Sequence, residues 1–193
     1  MTERTRWFSR KFAFDIEPWA FPNLIERVRG TPARLEEHVQ ALDAATLTAR
    51  PDNRWSIQEN VGHLLDLESL WLKRLGDFER GAERLEVADL ENRRTHDANH
   101  NASSLADILS AFRRERAAFV RQLDSYDDAM VVKSSLHPRL QQPMRVIDHV
   151  LFVAEHDDHH LAAITAVLRE QREAGARALP PVRPSATGAP QNG

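Results

Sequence analysis

AEHDDHHLAAI, residues 154–164, holds three of the nine histidines in this chain of 193 residues. Successive residues of an α-helix are rotated by about 100° around its axis, so His156 and His160 share one face with Cβ atoms about 6 Å apart. Two imidazoles at that separation can bind one metal ion. His159 falls on the far side of the same helix and is predicted to point outward.

A longer helix surrounds this stretch and is predicted over about residues 142–173. Its apolar stripe consists of Val146, Val150, Val153, Ile164, Val167 and Leu168. His149, His156 and His160 lie together on one flank of that stripe, about 80–120° from its centre. His149 is about 10 Å along the axis from His156, too far to bind the same ion. It is interpreted as a buried core histidine, with a supporting role beside the metal ligands as the alternative.

A second helix is predicted from residue 57 to about 80. Ser56 and Glu59 form an S-x-x-E capping box at its start. Its stripe, spaced by three or four residues, is Ile57, Val61, Leu64, Glu68, Trp71, Leu75 and Phe78. His63 lies on one flank of this stripe and supplies the third ligand that a catalytic metal needs. A solvated histidine pair and a hydrogen-bonded His63 stay open as alternatives, because periodicity does not show that the two helices are neighbours.

The remaining pattern completes an all-α, four-helix bundle. Gly30 is predicted to break the chain before a helix capped by Thr31, which runs to about residue 46, and another helix is predicted from Ser103 or Ser104. The connection 82–101 is long enough to hold a short element, and its His96 and His100 are predicted to be solvated. VVKSSL (131–136) is β-like. Residues 1–30 are predicted to form an irregular or short-helical strap that packs its aromatic rings on the bundle (31–173), and residues 174–193 a disordered tail.

Composition excludes several classes of protein. The net charge is −3 with no basic block, which argues against a nucleic-acid surface. No cysteine is present, so disulfides and thiolate ligands are excluded. No stretch approaches the roughly 18–20 apolar residues of a membrane span, and no secretory signal is recognised. The expected location is the cytoplasm.

Two segments, WSIQENVGHLLDLE (55–68) and HVLFVAEHDDHHLAAI (149–164), carry a family resemblance. Together they resemble the DinB/YfiT-like superfamily of small metal-binding four-helix bundles, and the resemblance covers about residues 8–172. It implies an up-down-down-up helix order and a metal triad of His63, His156 and His160. Some relatives resemble metal-dependent hydrolases and others thiol transferases that use bacillithiol. Homodimers are common among them.

Three neutral histidines leave a divalent metal with open positions, where it can activate water or deprotonate an external thiol. Zinc is the leading candidate and nickel the alternative. The expected partners are a small-molecule substrate and, for thiol transfer, a low-molecular-weight thiol. The alternative is a non-catalytic bundle that binds a metal, a small ligand or a protein. Asp157 and Glu68 are candidates to orient a ligand or act as a base, with a salt bridge as the alternative, whereas His38 and His137 belong to no recognisable group.

Overall fold

A computed structural model describes residues 5–178, except for the side chains of 53 and 175–178. The α-helices are α1 (Phe21–Arg29), α2 (Thr31–Val39), α3 (Ala44–Thr48), α4 (Ile57–Glu79), α5 (Arg93–Ala98), α6 (Leu105–Asp124), α7 (Asp128–Val131) and α8 (Val146–Ala178). The strands are β1 (Ser134–His137) and β2 (Gln142–Arg145). α8 continues past its predicted end near residue 173, and the rest of the predicted tail, 179–193, lies outside the described residues.

The long helices α4, α6 and α8 form a four-helix bundle with the helical pair α1–α2. α4 packs against both α6 and α8, and α1 packs against the same two helices. Consecutive helices of the bundle are therefore diagonal to each other at two of the three connections. This arrangement differs from a simple up-and-down bundle, in which consecutive helices are neighbours.

Side-chain contacts fix the direction of each helix. α4 and α6 run parallel, because Glu68 pairs with Arg116 and Glu79 near the end of α4 bonds Gln122 near the end of α6. α8 is antiparallel to α4, since His63 contacts His160, whereas Trp71, later in α4, contacts His149, earlier in α8. The α1–α2 pair is antiparallel to α6, as Arg29–Asp124 and Arg113–Glu36 show. The predicted up-down-down-up order is confirmed.

The capping residues of the long helices agree with the sequence pattern. The Ser56 side chain accepts a hydrogen bond from the Glu59 backbone N–H, and Glu59 in turn accepts one from the Ser56 backbone, so the predicted capping box is present. Ser104 caps α6 by accepting from the Asp107 N–H. α4 ends just before Gly81, whose φ of +68° is the left-handed conformation that glycine adopts without a steric penalty.

The N-terminal region differs from the prediction. Gly30 does not break the chain: it has φ −77° and ψ −13°, a helical conformation, and joins α1 to α2. Residues 21–29 form a helix, the short-helical alternative predicted for the strap, but one that belongs to the bundle. The Thr31 hydroxyl bonds Asp157 instead of capping α2. Trp7, Phe12 and Phe14 pack against the core, but the rings of Phe8 and Trp19 are exposed.

Two connections depart from the expected outline. α2 ends at Val39 instead of about residue 46, and the short α3 follows it. The predicted start of the last helix at 142 is also wrong, because residues 142–145 pair with β1 as an antiparallel hairpin. Pro143 lacks a backbone N–H and cannot donate a helical hydrogen bond, whereas at a strand edge it needs none. The β-like run at 131–136 thus supplies most of β1.

The connection between α4 and α6 runs back along the bundle, as two parallel helices require. It contains α5 and a 3-10 turn at His100–Ala102, and Leu85 anchors it in the core beside β1. Among the described residues, no helix combines the length and the apolar composition needed to cross a membrane.

Candidate metal centre

α4 and α8 bring His63, His156 and His160 together. One ring nitrogen of each can be chosen such that all three lie within 4.8 Å of one another. The three side chains are buried, with exposures of 4%, 4% and 7%. Within residues 5–178, this group contains three imidazoles and no carboxylate. The sequence prediction placed the same three residues together, and the antiparallel packing of α4 on α8 is what brings them into contact.

A hydroxyl fixes the tautomer of His63. The Thr95 hydroxyl donates to Asp66 Oδ2 at 2.9 Å, so its oxygen accepts from His63 Nδ1, also at 2.9 Å. His63 therefore carries its proton on Nδ1 and keeps Nε2 as a lone-pair donor. A carboxylate that acts on a metal-binding histidine in this way holds the ring in position and increases its basicity.

An amide fixes the tautomer of His160 in the same way. Asn60 Nδ2 donates to the Ser56 carbonyl at 2.8 Å, which assigns Oδ1 to the side that faces His160. Oδ1 lies 2.9 Å from His160 Nδ1 and accepts its proton. Nε2 of His160 consequently carries the lone pair.

His156 completes the set. Its Nδ1 is buried and has no hydrogen-bond partner among the described residues. Desolvation, reinforced by the neighbouring His63, holds the pKa of His156 well below its ordinary value, and desolvation lowers the pKa of His63 to about 4. Both rings are therefore neutral at physiological pH, as metal ligation requires. Two fixed tautomers and one unpartnered buried nitrogen fit a divalent cation.

The three histidines open onto a cavity of about 520 Å³, a volume in the range of small-molecule sites. Aromatic rings form much of its wall: Trp7, Phe8, Trp55, Trp71 and Phe152. Trp55 is packed beside the cluster, with its ring centroid 4.7 Å from that of His63 and 6.1 Å from that of His160. The cluster thus lies in an apolar cavity that a small ligand can enter.

His100 corrects the prediction of a solvated loop. It is 6% exposed, and its Nε2 bonds Asp66 Oδ2 at 2.9 Å, on the same carboxylate that supports His63. The ring lies directly on α4 at Gly62, where an added Cβ would come within 2.2 Å of His100 Cγ. Gly62 was the available signal, because glycine inside a helix is unfavourable unless something approaches its backbone closely. His96, by contrast, is exposed as predicted.

His159 also differs from its prediction. It is not a member of the group of three, but it lines the same cavity and is only 9% exposed, because the N-terminal segment covers it. Its Nδ1 lies 3.2 Å from Arg10 Nη2, and its ring centroid is 5.7 Å from that of Trp7. The helical rotation separated His159 from the group of three, but the predicted outward position is wrong, because the covering segment is distant in sequence and left no periodic signal.

Asp157 and Glu68 are structural, the alternative that the sequence left open. Both carboxylates bond the guanidinium of Arg116, and all three side chains are 0–1% exposed. Thr31 donates a further hydrogen bond to Asp157 at 2.7 Å, and the Val28 carbonyl accepts from Arg116. No hydrogen bond joins this group to the metal triad within residues 5–178.

The other histidines occupy different environments. His149 is fully buried, with ring centroids 5.7–6.2 Å from those of Trp71, Phe78 and Phe119. It is a core histidine, and desolvation holds its pKa well below the ordinary value. His137, which belonged to no group in the sequence, lines the cavity beside Arg74. His38 is half-buried on α2.

A family assignment follows from comparison of the sequence with protein-family models. The model of the DinB superfamily matches residues 27–164, a range that includes all three histidines. The chain belongs to the DinB superfamily. No curated protein matches the sequence significantly.

Two solved structures have a similar fold. YfiT from Bacillus subtilis aligns with a TM-score of 0.76 at 18% identity, covering 84% of this chain and 94% of YfiT. YfiT is described as a probable metal-dependent hydrolase with an unusual four-helix bundle topology. A protein from Streptococcus pneumoniae aligns with a TM-score of 0.57 at 11% identity, covering 85% of this chain and 93% of its own. At these sequence identities, the two alignments show that the chains share a fold.

Proposed function

We propose that this DinB-superfamily member is a metal-dependent hydrolase of small molecules, with His63, His156 and His160 as the metal ligands. The observation that carries the proposal is the open donor set: three imidazoles converge at the wall of a cavity, and no fourth protein ligand completes the group within residues 5–178. A structural metal site is normally closed by four protein ligands. The description of YfiT as a probable metal-dependent hydrolase supports the same reaction class.

The residues around the cluster have separate tasks. Thr95 and Asn60 hold the protons of His63 and His160 on Nδ1, which keeps both Nε2 atoms available. Trp55 and Trp71 exclude bulk water and offer apolar surface to a substrate. Zinc is the metal that we propose first and nickel the second, because imidazole suits both. When bound, such a cation supplies Lewis acidity, which lowers the pKa of a water or thiol that it meets.

Transfer of a low-molecular-weight thiol is the second reaction that we propose. The chain contains no cysteine, so any thiol has to enter the cavity from solution. The cavity of about 520 Å³ is large enough to admit a small thiol beside a substrate. Both reactions use the same three ligands, and we propose the cytoplasm, where low-molecular-weight thiols are kept reduced, as the location.

The first test is the metal content of the purified, untagged protein, measured by mass spectrometry beside two single variants. We expect near-stoichiometric zinc or nickel in the wild type and in His159→Ala, and loss of the metal in His160→Ala. The two variants remove adjacent histidines of one helix, of which one belongs to the triad. Equal loss in both variants would contradict the ligand assignment.

Metal-loaded protein is then assayed with ester, amide and thiol-acceptor substrates, and each activity is compared with that of His160→Ala. Hydrolysis that requires the metal supports the first reaction, and turnover that requires an added thiol supports the second. A wild type that takes up no metal after reconstitution with zinc or nickel would overturn the proposal as a whole.

A further inference from the structure

The cavity continues from the three histidines to a pair of arginines, Arg74 and Arg139. Arg74 belongs to α4 and lies about 16 Å further along the helix axis than His63. Arg139 lies in the turn between β1 and β2, which closes this side of the cavity. Neither guanidinium has a carboxylate within salt-bridge distance among residues 5–178. The two arginines therefore place positive charge at one part of the cavity, where Asp77 and Glu86 act on Arg74 only through space.

Arg74 is held rigidly although it has no anionic partner. It is 1% exposed, its Nε donates to the Glu86 carbonyl at 3.0 Å, and its Nη1 lies 3.2 Å from His137 Nε2. Its guanidinium also lies 5.6 Å from the ring centroid of Trp71. Burial lowers the pKa of Arg74 to about 10, against the opposing charge of Asp77 and with Arg139 acting in the same direction as burial. The side chain is thus cationic and fixed in position before any ligand arrives.

Arg139 provides the unpartnered atoms. Its Nη2 is buried and makes no hydrogen bond among the described residues. Its guanidinium is placed between aromatic rings, 5.4 Å from the centroid of Phe8 and 5.8 Å from that of Phe152. Desolvation lowers its pKa. A buried guanidinium N–H without an acceptor is costly, and an arriving anion would remove that cost.

The other charged groups at the cavity do not compensate these arginines. Arg54 also lines the cavity, but it forms an ion pair with Glu170. Asp89, the carboxylate in the lining, instead accepts the backbone N–H groups of Glu91 and Arg93. His137 is neutral, because desolvation and both neighbouring arginines lower its pKa to about 3. The side chains that line this part of the cavity are therefore positive, and the unpartnered Nη2 of Arg139 can donate to a ligand.

We propose that Arg74 and Arg139 form a subsite for an oxyanionic group, a carboxylate or a phosphate ester. The apolar body of the ligand extends along Trp71 and Phe152 toward the three histidines. The guanidinium fork suits both kinds of oxyanion, because it offers parallel N–H donors. The orientation of the ligand rests on the proposed function, in which its reacting group faces the metal. The anion subsite itself requires no metal.

The test is calorimetric titration of the full-length, chelator-treated protein with octanoate, octyl phosphate and the neutral analogue octanamide. We expect both anions, or one of them, to bind at least about tenfold more tightly than octanamide. Arg139→Met should remove that preference without weakening octanamide. Arg54→Met is the matched control, since it deletes a cavity arginine whose charge is already paired, and it should stay within about threefold of the wild type. Circular dichroism and thermal unfolding confirm that each variant is folded.

The outcomes separate this subsite from the metal proposal. Equal affinity for octanoate, octyl phosphate and octanamide, or an anion preference that survives in Arg139→Met, would overturn the subsite. Anion binding that appears after zinc is added and disappears in His160→Ala would place the anion on the metal, and would also overturn the subsite. An anion preference in protein that takes up no metal would support the subsite while the proposed function fails. A stronger preference for octyl phosphate than for octanoate would identify the phosphate ester as the ligand class.

Discussion

α4 and α8 carry two buried polar clusters that differ in how far their hydrogen bonds are satisfied within the protein. In the ion cluster, Glu68 and Asp157 satisfy Arg116 from both sides, and Thr31 and a backbone carbonyl complete the hydrogen bonds. In the metal triad, one nitrogen of His156 has no partner and two others are kept as lone-pair donors. The ion cluster lies away from the cavity, whereas the triad lines it.

This difference shows how two kinds of buried polar residue can be distinguished. Asp157 and His156 are neighbours on one helix, both nearly inaccessible to solvent. Burial alone therefore does not separate a structural residue from a functional one. The useful criterion is whether a group that lines the cavity has a polar atom without a hydrogen-bond partner: His156 meets both conditions, whereas His149, whose ring nitrogens are also unpartnered, lies away from the cavity. Mutation of a buried group whose hydrogen bonds are all made within the protein should lower stability. Mutation of a cavity-lining group with an unpartnered polar atom should weaken ligand binding.

The largest expected effect is on the ion cluster. Arg116→Met leaves two buried carboxylates without their counter-ion, so we expect the free energy of unfolding to fall by about 3–5 kcal/mol. Urea denaturation of metal-free protein measures it. The matched control is Arg113→Met on the same helix, which breaks the exposed pair with Glu36 and should cost less than about 1 kcal/mol. The metal content per folded Arg116→Met molecule should be unchanged, and a loss of metal there would break the proposed separation of the two clusters.

The structural features that depend on local sequence pattern could be predicted from the sequence. The four-residue spacing of His156 and His160 and the position of His63 beside an apolar stripe predicted the three histidines that α4 and α8 bring together. The Ser56 capping box fixed the start of α4. These signals are local because helix geometry and capping involve residues only three or four positions apart.

The remaining features depend on contacts between distant segments. His100 reaches Asp66 across 34 positions, and Arg10 covers His159 from the opposite end of the chain. Arg139 enters the cavity on a hairpin that displaces the predicted start of the last helix. Periodicity does not encode such contacts, because tertiary packing selects them. The in-helix Gly62 was the one local sign that another segment approaches α4.

An effect of intermediate size, on metal affinity, is expected at Thr95. Its hydroxyl accepts a hydrogen bond from His63 and donates one to Asp66, so it connects a proposed metal ligand to a buried carboxylate. Thr95→Val keeps the shape but removes both hydrogen bonds, and we expect metal affinity to fall by about 10–100-fold. Competition with a chromophoric chelator measures the affinity. Thr95→Ser should restore most of it, and Thr165→Val, which removes a hydroxyl bonded to the Leu161 carbonyl, should not change it. Unchanged affinity in Thr95→Val would show that the hydroxyl does not position His63.

The smallest effect is expected at His149, which tests whether a buried histidine of α8 can be purely structural. Its surroundings hold its folded-state pKa well below the ordinary value of 6.5, first by desolvation and then by the charge of Arg74. In the unfolded chain the ring takes up a proton near pH 6.5, so acid favours unfolding below that pH. Each proton excluded in this way reduces the free energy of unfolding by about 1.4 kcal/mol per pH unit.

His149→Phe should therefore reduce the loss of stability between pH 6.5 and 5.5 by about 1 kcal/mol, because the unfolded ring goes from half to almost fully protonated in this range while the folded ring stays neutral. Urea denaturation of chelator-treated protein across this range measures the change, and His38→Phe, at a half-buried position on α2, should leave the pH dependence as it is. The other buried histidines remain in both variants and contribute equally. An unchanged pH dependence in His149→Phe would mean that the core accommodates a protonated imidazole. Retention of the metal together with the reduced pH dependence would show that His149 and His156, two turns apart on one helix, differ in function because only His156 faces the cavity.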